Sequence, residues 1–158
     1  MGAVYFYHLT ESSLESTLPG LLDRARGQGW RVLVRGTDPD QLAQLDALLW
    51  QGPPESFRAH GMAGGPSDAD QPILLGTQVG MEGFDCVMCI AGADLTAAEV
   101  ATSKRACVLF DGHDESALSA ARTQWKTLTG QGVAAQYWAQ EDGRWTNKAE
   151  SGGSDARA

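Results

Sequence analysis

Basic residues are scarce in this sequence. Twelve lysines and arginines stand against twenty aspartates and glutamates, which gives a formal net charge of -8 at pH 7. A surface that holds nucleic acid by neutralising its phosphates needs clustered lysine and arginine side chains. From composition alone we therefore expect no direct contact with nucleic acid.

Long apolar runs are also missing. No stretch approaches the roughly 18 apolar residues that a membrane-spanning helix requires, and the start, MGAVYFYHL, has neither the basic segment nor the cleavage pattern of a secretory signal. We therefore expect a cytoplasmic protein without membrane contact. Its three cysteines, an odd number without a secretion signal, are expected to be reduced thiols.

The length of 158 residues suits one domain with its own hydrophobic core. Predicted strands at 3–9, 31–37, 71–78, 84–92, 105–112 and near 133–145 alternate with helices that start after Ser12, Asp38 and Asp114. Pro19 is expected to kink the first helix or to delay its start. This alternation predicts an α/β fold, Rossmann-like, with a largely parallel sheet covered by helices on both faces. We place the domain at residues 1–147 and a disordered tail at residues 148–158.

Glycine is absent from the loop after the first strand, HLTESSLES. A dinucleotide site needs glycines there so that the backbone can approach the pyrophosphate. The one glycine-rich stretch, GMAGGP, lacks the Lys-Ser/Thr of a phosphate-binding loop. No serine or cysteine stands in a nucleophile-elbow setting, and the histidines are scattered. We therefore predict no nucleotide site, no cofactor and no catalytic residues.

Cys86 and Cys89 have the CxxC spacing found in redox and zinc sites. The motif CVMC lies inside an apolar strand, however, whereas a reactive thiolate is usually stabilised at a helix N-terminus. No second CxxC or HxxxH motif completes a zinc ligand set. We therefore expect buried free cysteines and no metal site.

Large aromatic residues flank a proline-rich connector. The stretch LDALLWQGPPESFRAHGMAGG, residues 45–65, places Trp50 at the end of a predicted helix and Phe57 just beyond Pro53 and Pro54. Prolines prevent regular strand pairing, and aromatic side chains held on an exposed turn are typical anchors of protein interfaces. We predict that Trp50 and Phe57 form an exposed docking patch.

The stretch GWRVLVRGTDPDQLAQLDALLWQGPPESFRAHGMAGG resembles the chi subunit family of the bacterial DNA polymerase III holoenzyme, with its pattern RVL, LDxxLW, PxESFxPH and a glycine-containing loop. YFYHL and ARxxWK extend the likeness more weakly along the folded chain. Ala59 replaces the proline usual before the histidine, and the C-terminal tail has no clear counterpart in the family.

This resemblance implies an accessory subunit without enzymatic activity. It implies that the psi subunit, which joins chi to the clamp loader, binds the surface around Trp50 and Phe57. It also implies that Arg122, Trp125 and Lys126 bind the acidic, Phe-ended C-terminal tail of single-stranded DNA-binding protein. A basic residue that some members carry earlier in the same helix is replaced here by Leu118, so affinity for the tail is expected to be lower.

Two other functions compete with the replisome adaptor. One is a nucleotide-binding α/β enzyme, which the glycine-free first loop disfavours. The other is a small thiol redox protein that uses Cys86 and Cys89, for which rapid labelling of native thiols is the diagnostic test.

Overall fold

The computed structural model describes residues 3–11, 13–50, 60–62, 72–77, 83–90, 92–142 and 144–151, without the side chains of residues 49, 50 and 60–62. Eight strands and four helices occur in these ranges. In chain order they are β1 (Val4–Leu9), α1 (Leu14–Gly27), β2 (Val32–Arg35), α2 (Pro39–Trp50), β3 (His60–Met62), β4 (Ile73–Gly76), β5 (Cys86–Cys89), α3 (Ala97–Thr102), β6 (Arg105–Asp111), α4 (Glu115–Gly130), β7 (Ala135–Glu141) and β8 (Arg144–Ser151).

The strands form one sheet in the order β3-β4-β2-β5-β6-β1-β7-β8. Every neighbouring pair is parallel except β7 and β8, which form an antiparallel hairpin. The prediction of an α/β fold with a largely parallel sheet is confirmed. None of the helices described is long and apolar enough to cross a membrane.

Both faces of the sheet are buried, which explains the continuous apolar sequence of its central strands. Strand residues alternate between two core clusters because successive side chains point to opposite faces. Val4 and Phe6 of β1 lie in one cluster with residues of α3 and α4. Tyr7 lies in the other with residues of α1 and α2. The helices therefore cover both faces, as predicted.

Helix α1 starts one residue later than the sequence indicated. Ser13 is the N-cap, and its hydroxyl accepts a hydrogen bond from the Ser16 backbone N–H at 3.1 Å. The prediction that Ser12 caps the helix was wrong, since two adjacent serines offer the same chemistry and only the chain path selects one. Pro19 lies inside the helix and does not delay its start to residue 17.

The C-terminal hairpin and the connector also differ from expectation. Strand β8 includes residues 148–151, which the sequence assigned to a tail; residues 152–158 lie outside the description. Strand β3 lies in the segment predicted as a connector. The sequence did not predict this strand because HGM lacks the apolar alternation that marks a strand.

An ion pair between a buried arginine and a partly exposed glutamate fixes α3 against the sheet. Arg35, at the end of β2, is 8% exposed and holds Glu99 of α3 with two hydrogen bonds, Nη1–Oε1 at 2.9 Å and Nη2–Oε2 at 2.8 Å. Arg35 Nη1 also donates to the Asp94 carbonyl at 3.0 Å. Hydrogen bonding from Arg35 lowers the pKa of Glu99. Glu99 completes a capping box with Thr96 as well, so one carboxylate both starts the helix and anchors it.

Candidate functional site

Helix α4 carries the three residues that the sequence associates with tail binding. Its N-cap is Asp114, whose Oδ1 accepts hydrogen bonds from the Ser116 and Ala117 backbone N–H groups, as the sequence predicted. Ala121 and Leu128 are its fully buried residues. Because 3.6 residues make one turn, Arg122 and Lys126 lie four apart on a neighbouring face. Both are exposed to solvent.

Trp125 lies between this exposed face and the core. It is half-buried, and its ring contacts Phe6 of β1 edge-to-face at 5.4 Å between centroids. It makes a second edge contact with Tyr137 of β7 at 6.0 Å. Edge-to-face geometry is favourable for aromatic pairs beyond the area they bury. Trp125 is therefore held firmly while part of its surface stays accessible.

The aromatic contacts continue to the end of β1. His8 stacks on Phe110 of β6 at 5.0 Å with an interplanar angle of 23°. The Tyr137 hydroxyl and His8 Nδ1 are hydrogen-bonded at 2.8 Å. Gly112 packs against the edge of the ring formed by Nε2 and Cδ2, since a Cβ there would lie 2.2 Å from His8 Nε2. His8 is thus fixed on three sides.

The positive charge of Arg122 influences the pKa values of His8 and Tyr137. Burial lowers the pKa of His8, and positive charge on His113 and Arg122 lowers it further, against an opposite effect of Asp111. Burial raises the pKa of Tyr137, which Arg122 partly offsets. No side-chain hydrogen bond or ion pair joins Arg122 or Lys126 to another part of the described chain.

The sequence did not identify the residues that support this site. His8 was one of the scattered histidines to which the sequence gave no role, and Phe110 and Tyr137 were not considered. They meet because β1 pairs in parallel with both β6 and β7, so that His8 is the register partner of Phe110 and Phe6 that of Tyr137. Aromatic residues in all three predicted strands were the available signal.

The CxxC motif is divided between the two faces of the sheet. Cys86 lies in the cluster that contains Tyr7, whereas Cys89 lies in the cluster that contains Phe6. All three cysteines are free and buried, as predicted. Burial raises the pKa of Cys89 to about 12, so its thiolate is strongly disfavoured at neutral pH. Because the two thiols lie on opposite faces of the sheet, this geometry disfavours a redox role for Cys86 and Cys89 as a pair.

The side chains of the predicted docking patch lie outside the described part of the structure. Trp50 is the last residue of α2, with its side chain beyond what is described, and Phe57 falls outside the described ranges. Their role as an interface stays a prediction. In the described part of the chain, no group of three or more histidine, cysteine, aspartate or glutamate residues is arranged to hold a metal ion.

Comparison with protein-family models identifies the chain. The family model of the DNA polymerase III chi subunit, HolC, matches residues 1–136, which include every element from β1 to α4. Strand β8 and most of β7 lie beyond the match. A search of individually curated proteins gives no significant match. The family match spans most of the 158 residues and agrees with the resemblance seen in the sequence. The chain therefore belongs to the family of DNA polymerase III chi subunits.

Proposed function

We propose that this protein is a non-catalytic adaptor of the replisome. It links the clamp-loader complex, through psi, to the C-terminal tail of single-stranded DNA-binding protein. The observation that carries the proposal is the arrangement on α4, where the exposed cations Arg122 and Lys126 flank a half-buried Trp125 that rests on Phe6 and Tyr137.

The chemistry of this surface suits an acidic peptide with an aromatic end. Guanidinium and ammonium groups bind carboxylates through charge-assisted hydrogen bonds, and Arg122 and Lys126 have no described carboxylate partner to displace. Trp125 and Tyr137 are half-buried and offer ring surface beside these cations. A terminal phenylalanine anchored there supplies apolar contact, while the carboxylates supply orientation.

Leu118 makes this surface less positively charged than in the family members that carry a cation at that position. It packs against the core cluster beneath α4 and therefore adds apolar area and no charge. With two cations on the helix face, the tail has fewer charge partners. We expect weaker binding than in a relative with a third cation, and a smaller dependence on salt.

A nucleotide-binding enzyme is the less favoured function. A Rossmann-like nucleotide site uses free backbone N–H groups at a helix N-terminus to bind phosphate. Here the Ser13 hydroxyl and the Asp114 carboxylate already accept hydrogen bonds from the first turns of α1 and α4. Glu11, Glu15 and Asp114 also line the cavity between these helices, and carboxylates there repel phosphate. This supports a fold without a nucleotide.

Peptide titration tests the tail site. The full-length protein is titrated with a labelled peptide of the tail, and Arg122→Glu is expected to abolish binding. Raising the salt concentration weakens the wild-type complex, because exposed pairs are screened over about 10 Å at 0.1 M. Deleting the terminal phenylalanine of the peptide removes most of the affinity.

The matched control is Lys104→Glu. It makes the same change of charge on an exposed residue whose only described ion pair is a long one, 3.9 Å, to Asp85. Lys104 comes just before β6, whereas α4 begins just after it. The two positions are therefore at opposite ends of that strand. If binding survives Arg122→Glu, or falls equally with Lys104→Glu, then α4 is not the tail site.

A further inference from the structure

A second crevice opens beside helix α1, away from the surface of α4. It encloses about 380 Å³ between the C-terminal half of α1 and strands β5 and β6. Its floor is apolar and includes Met88 and the buried thiols of Cys86 and Cys107, and Tyr7 and Trp30 also line it. Two arginines, Arg24 of α1 and Arg105 of β6, complete the lining. An apolar slot with two guanidinium groups is built for a ligand that is both planar and anionic.

Arg105 packs against aromatic rings, and no carboxylate of the described residues pairs with it. Its guanidinium carbon lies 4.3 Å from the centroid of Tyr5 and 5.3 Å from that of Trp30. Contacts of this kind attract the cation to the ring face. The side chain is half-buried and makes no hydrogen bond or ion pair within the described residues. Guanidinium has five N–H donors, so donors at its edge remain available to an anion.

Arg24 strengthens the same positive region. Burial raises the pKa of Tyr7, and the positive charges of Arg105 and then Arg24 act against that increase. The other described groups that shift it are Cys107 and Tyr5, so no described carboxylate contributes. The described charged groups that act on Tyr7 are therefore two arginines, in a protein with a net charge of -8.

Half-buried aromatic rings extend from the crevice across the sheet. Tyr7 lies 6.3 Å from Tyr5 and 5.1 Å from Trp145 between ring centroids, and Trp138 is its register partner on β7. Helix α1 packs on β2, β6 and α2. Four of these rings remain partly exposed to solvent. We call them the aromatic face, which consists of Tyr5, Trp30, Trp138 and Trp145.

We propose that this crevice and the aromatic face bind a single-stranded polynucleotide, with a phosphate between Arg24 and Arg105 and bases stacked on the rings. Single-strand binding sites combine cations that follow the backbone with ring faces on which successive bases stack. Aromatic residues on adjacent strands of a sheet are a recurrent platform of this kind. An acidic peptide with one aromatic side chain needs a single pocket, whereas four half-buried rings beside two arginines suit a ligand with several bases and phosphates.

The proposal revises the expectation drawn from composition. A net charge of -8 excludes a surface that binds nucleic acid mainly by releasing counterions, but it does not exclude a small site whose affinity comes from stacking. Two phosphate contacts correspond to a slope of only about -1.4 in log K against log salt. Binding is therefore weak, local and modest in its salt dependence. It is independent of the tail site proposed for α4.

Fluorescence anisotropy of a labelled oligothymidylate of about ten nucleotides, titrated with the full-length protein at low salt, tests the proposal. Arg24→Ala changes an exposed residue and should weaken binding about fivefold to tenfold, as expected for one lost charge-assisted contact. Trp30→Leu should weaken it by about tenfold or more through lost stacking. Arg122→Ala, on the other side of the sheet, should leave oligonucleotide affinity unchanged, and Arg24→Ala should leave tail-peptide affinity unchanged.

Two competitors identify the ligand. An abasic oligonucleotide of the same length should compete poorly, because it keeps the phosphates and lacks the rings. Equal competition by the abasic strand, or the absence of any binding at low salt, overturns the proposal. The proposal is also overturned if the acidic tail peptide displaces the oligonucleotide and Arg24→Ala abolishes binding of that peptide. The crevice would then be the peptide site.

Discussion

The close contact between Gly112 and His8 allows a sharp mutational test. A Cβ atom at residue 112 would lie 2.2 Å from His8 Nε2, 2.4 Å from its Cδ2 and 3.0 Å from the Leu9 carbonyl oxygen. The first two distances are too short for any real contact, so Gly112→Ala must displace the imidazole. The ring cannot move without losing its stack on Phe110 and its hydrogen bond with Tyr137.

The magnitude follows from the two lost interactions. A hydrogen bond contributes about 1 kcal/mol net, and a favourable ring pair contributes about 0.5 to 1.5 kcal/mol. We therefore expect Gly112→Ala to reduce the free energy of unfolding by about 2 kcal/mol. For a domain of this size that corresponds to a decrease in Tm of about 4 to 8 °C.

Thermal unfolding followed by circular dichroism measures this change. The control is Gly20→Ala in α1, where an added Cβ meets nothing within 4 Å and should stabilise the helix by about 0.5 to 1 kcal/mol. If Gly112→Ala melts at the wild-type temperature, the ring has another position of equal free energy, and the fixed His8 arrangement described above is refuted.

Further predictions concern the ion pair, pH and the docking patch. Glu99→Gln should lower the free energy of unfolding by about 3 kcal/mol in urea titrations, because the charge of Arg35 stays buried without a carboxylate to balance it. Little change would contradict this. Combining Arg35→Met with Glu99→Leu should recover most of the loss. The lowered pKa of His8 means that the unfolded chain binds a proton more readily. Stability should be full above about pH 6.5, the unfolded value, and decline as pH falls through the folded pKa; His8→Phe should reduce this slope in melts at several pH values. Phe57→Ala should weaken capture of psi in pull-down assays with an unchanged Tm, whereas a loss of about 3 to 5 kcal/mol would identify Phe57 as a core residue.

Much of the fold followed from local sequence signals. The apolar strand around CVMC and the cap Asp114 were predicted correctly, because burial on both faces and helix capping leave patterns within a few adjacent residues. Strand β3 was missed because three residues without alternation carry no such pattern. The choice between Ser12 and Ser13 depends on the path of the chain out of β1, which local chemistry does not determine.

The candidate site was less accessible to sequence analysis than the fold. Arg122 and Trp125 were identified through a family motif within one helix. Tyr137, which contacts the Trp125 ring, and His8 are 129 positions apart in the chain and meet through a hydrogen bond. Such contacts depend on the order and register of parallel strands, which are set by packing over the whole domain. The arginine crevice beside α1 was missed for the same reason.

The position of β1 within the sheet has a consequence for synthesis of the protein. Val4 is paired with Ala106 on one side and with Ala135 on the other, so both neighbours of β1 are synthesised about 100 residues or more after it. At about 5 to 20 residues per second, roughly 100 residues of further translation take about 5 to 20 seconds. During that interval the segment VYFYHL, rich in β-forming residues and free of charge at neutral pH, has no strand to pair with. An unpaired segment of this composition is prone to aggregate until β6 is available, and chaperones or rapid elongation reduce that risk.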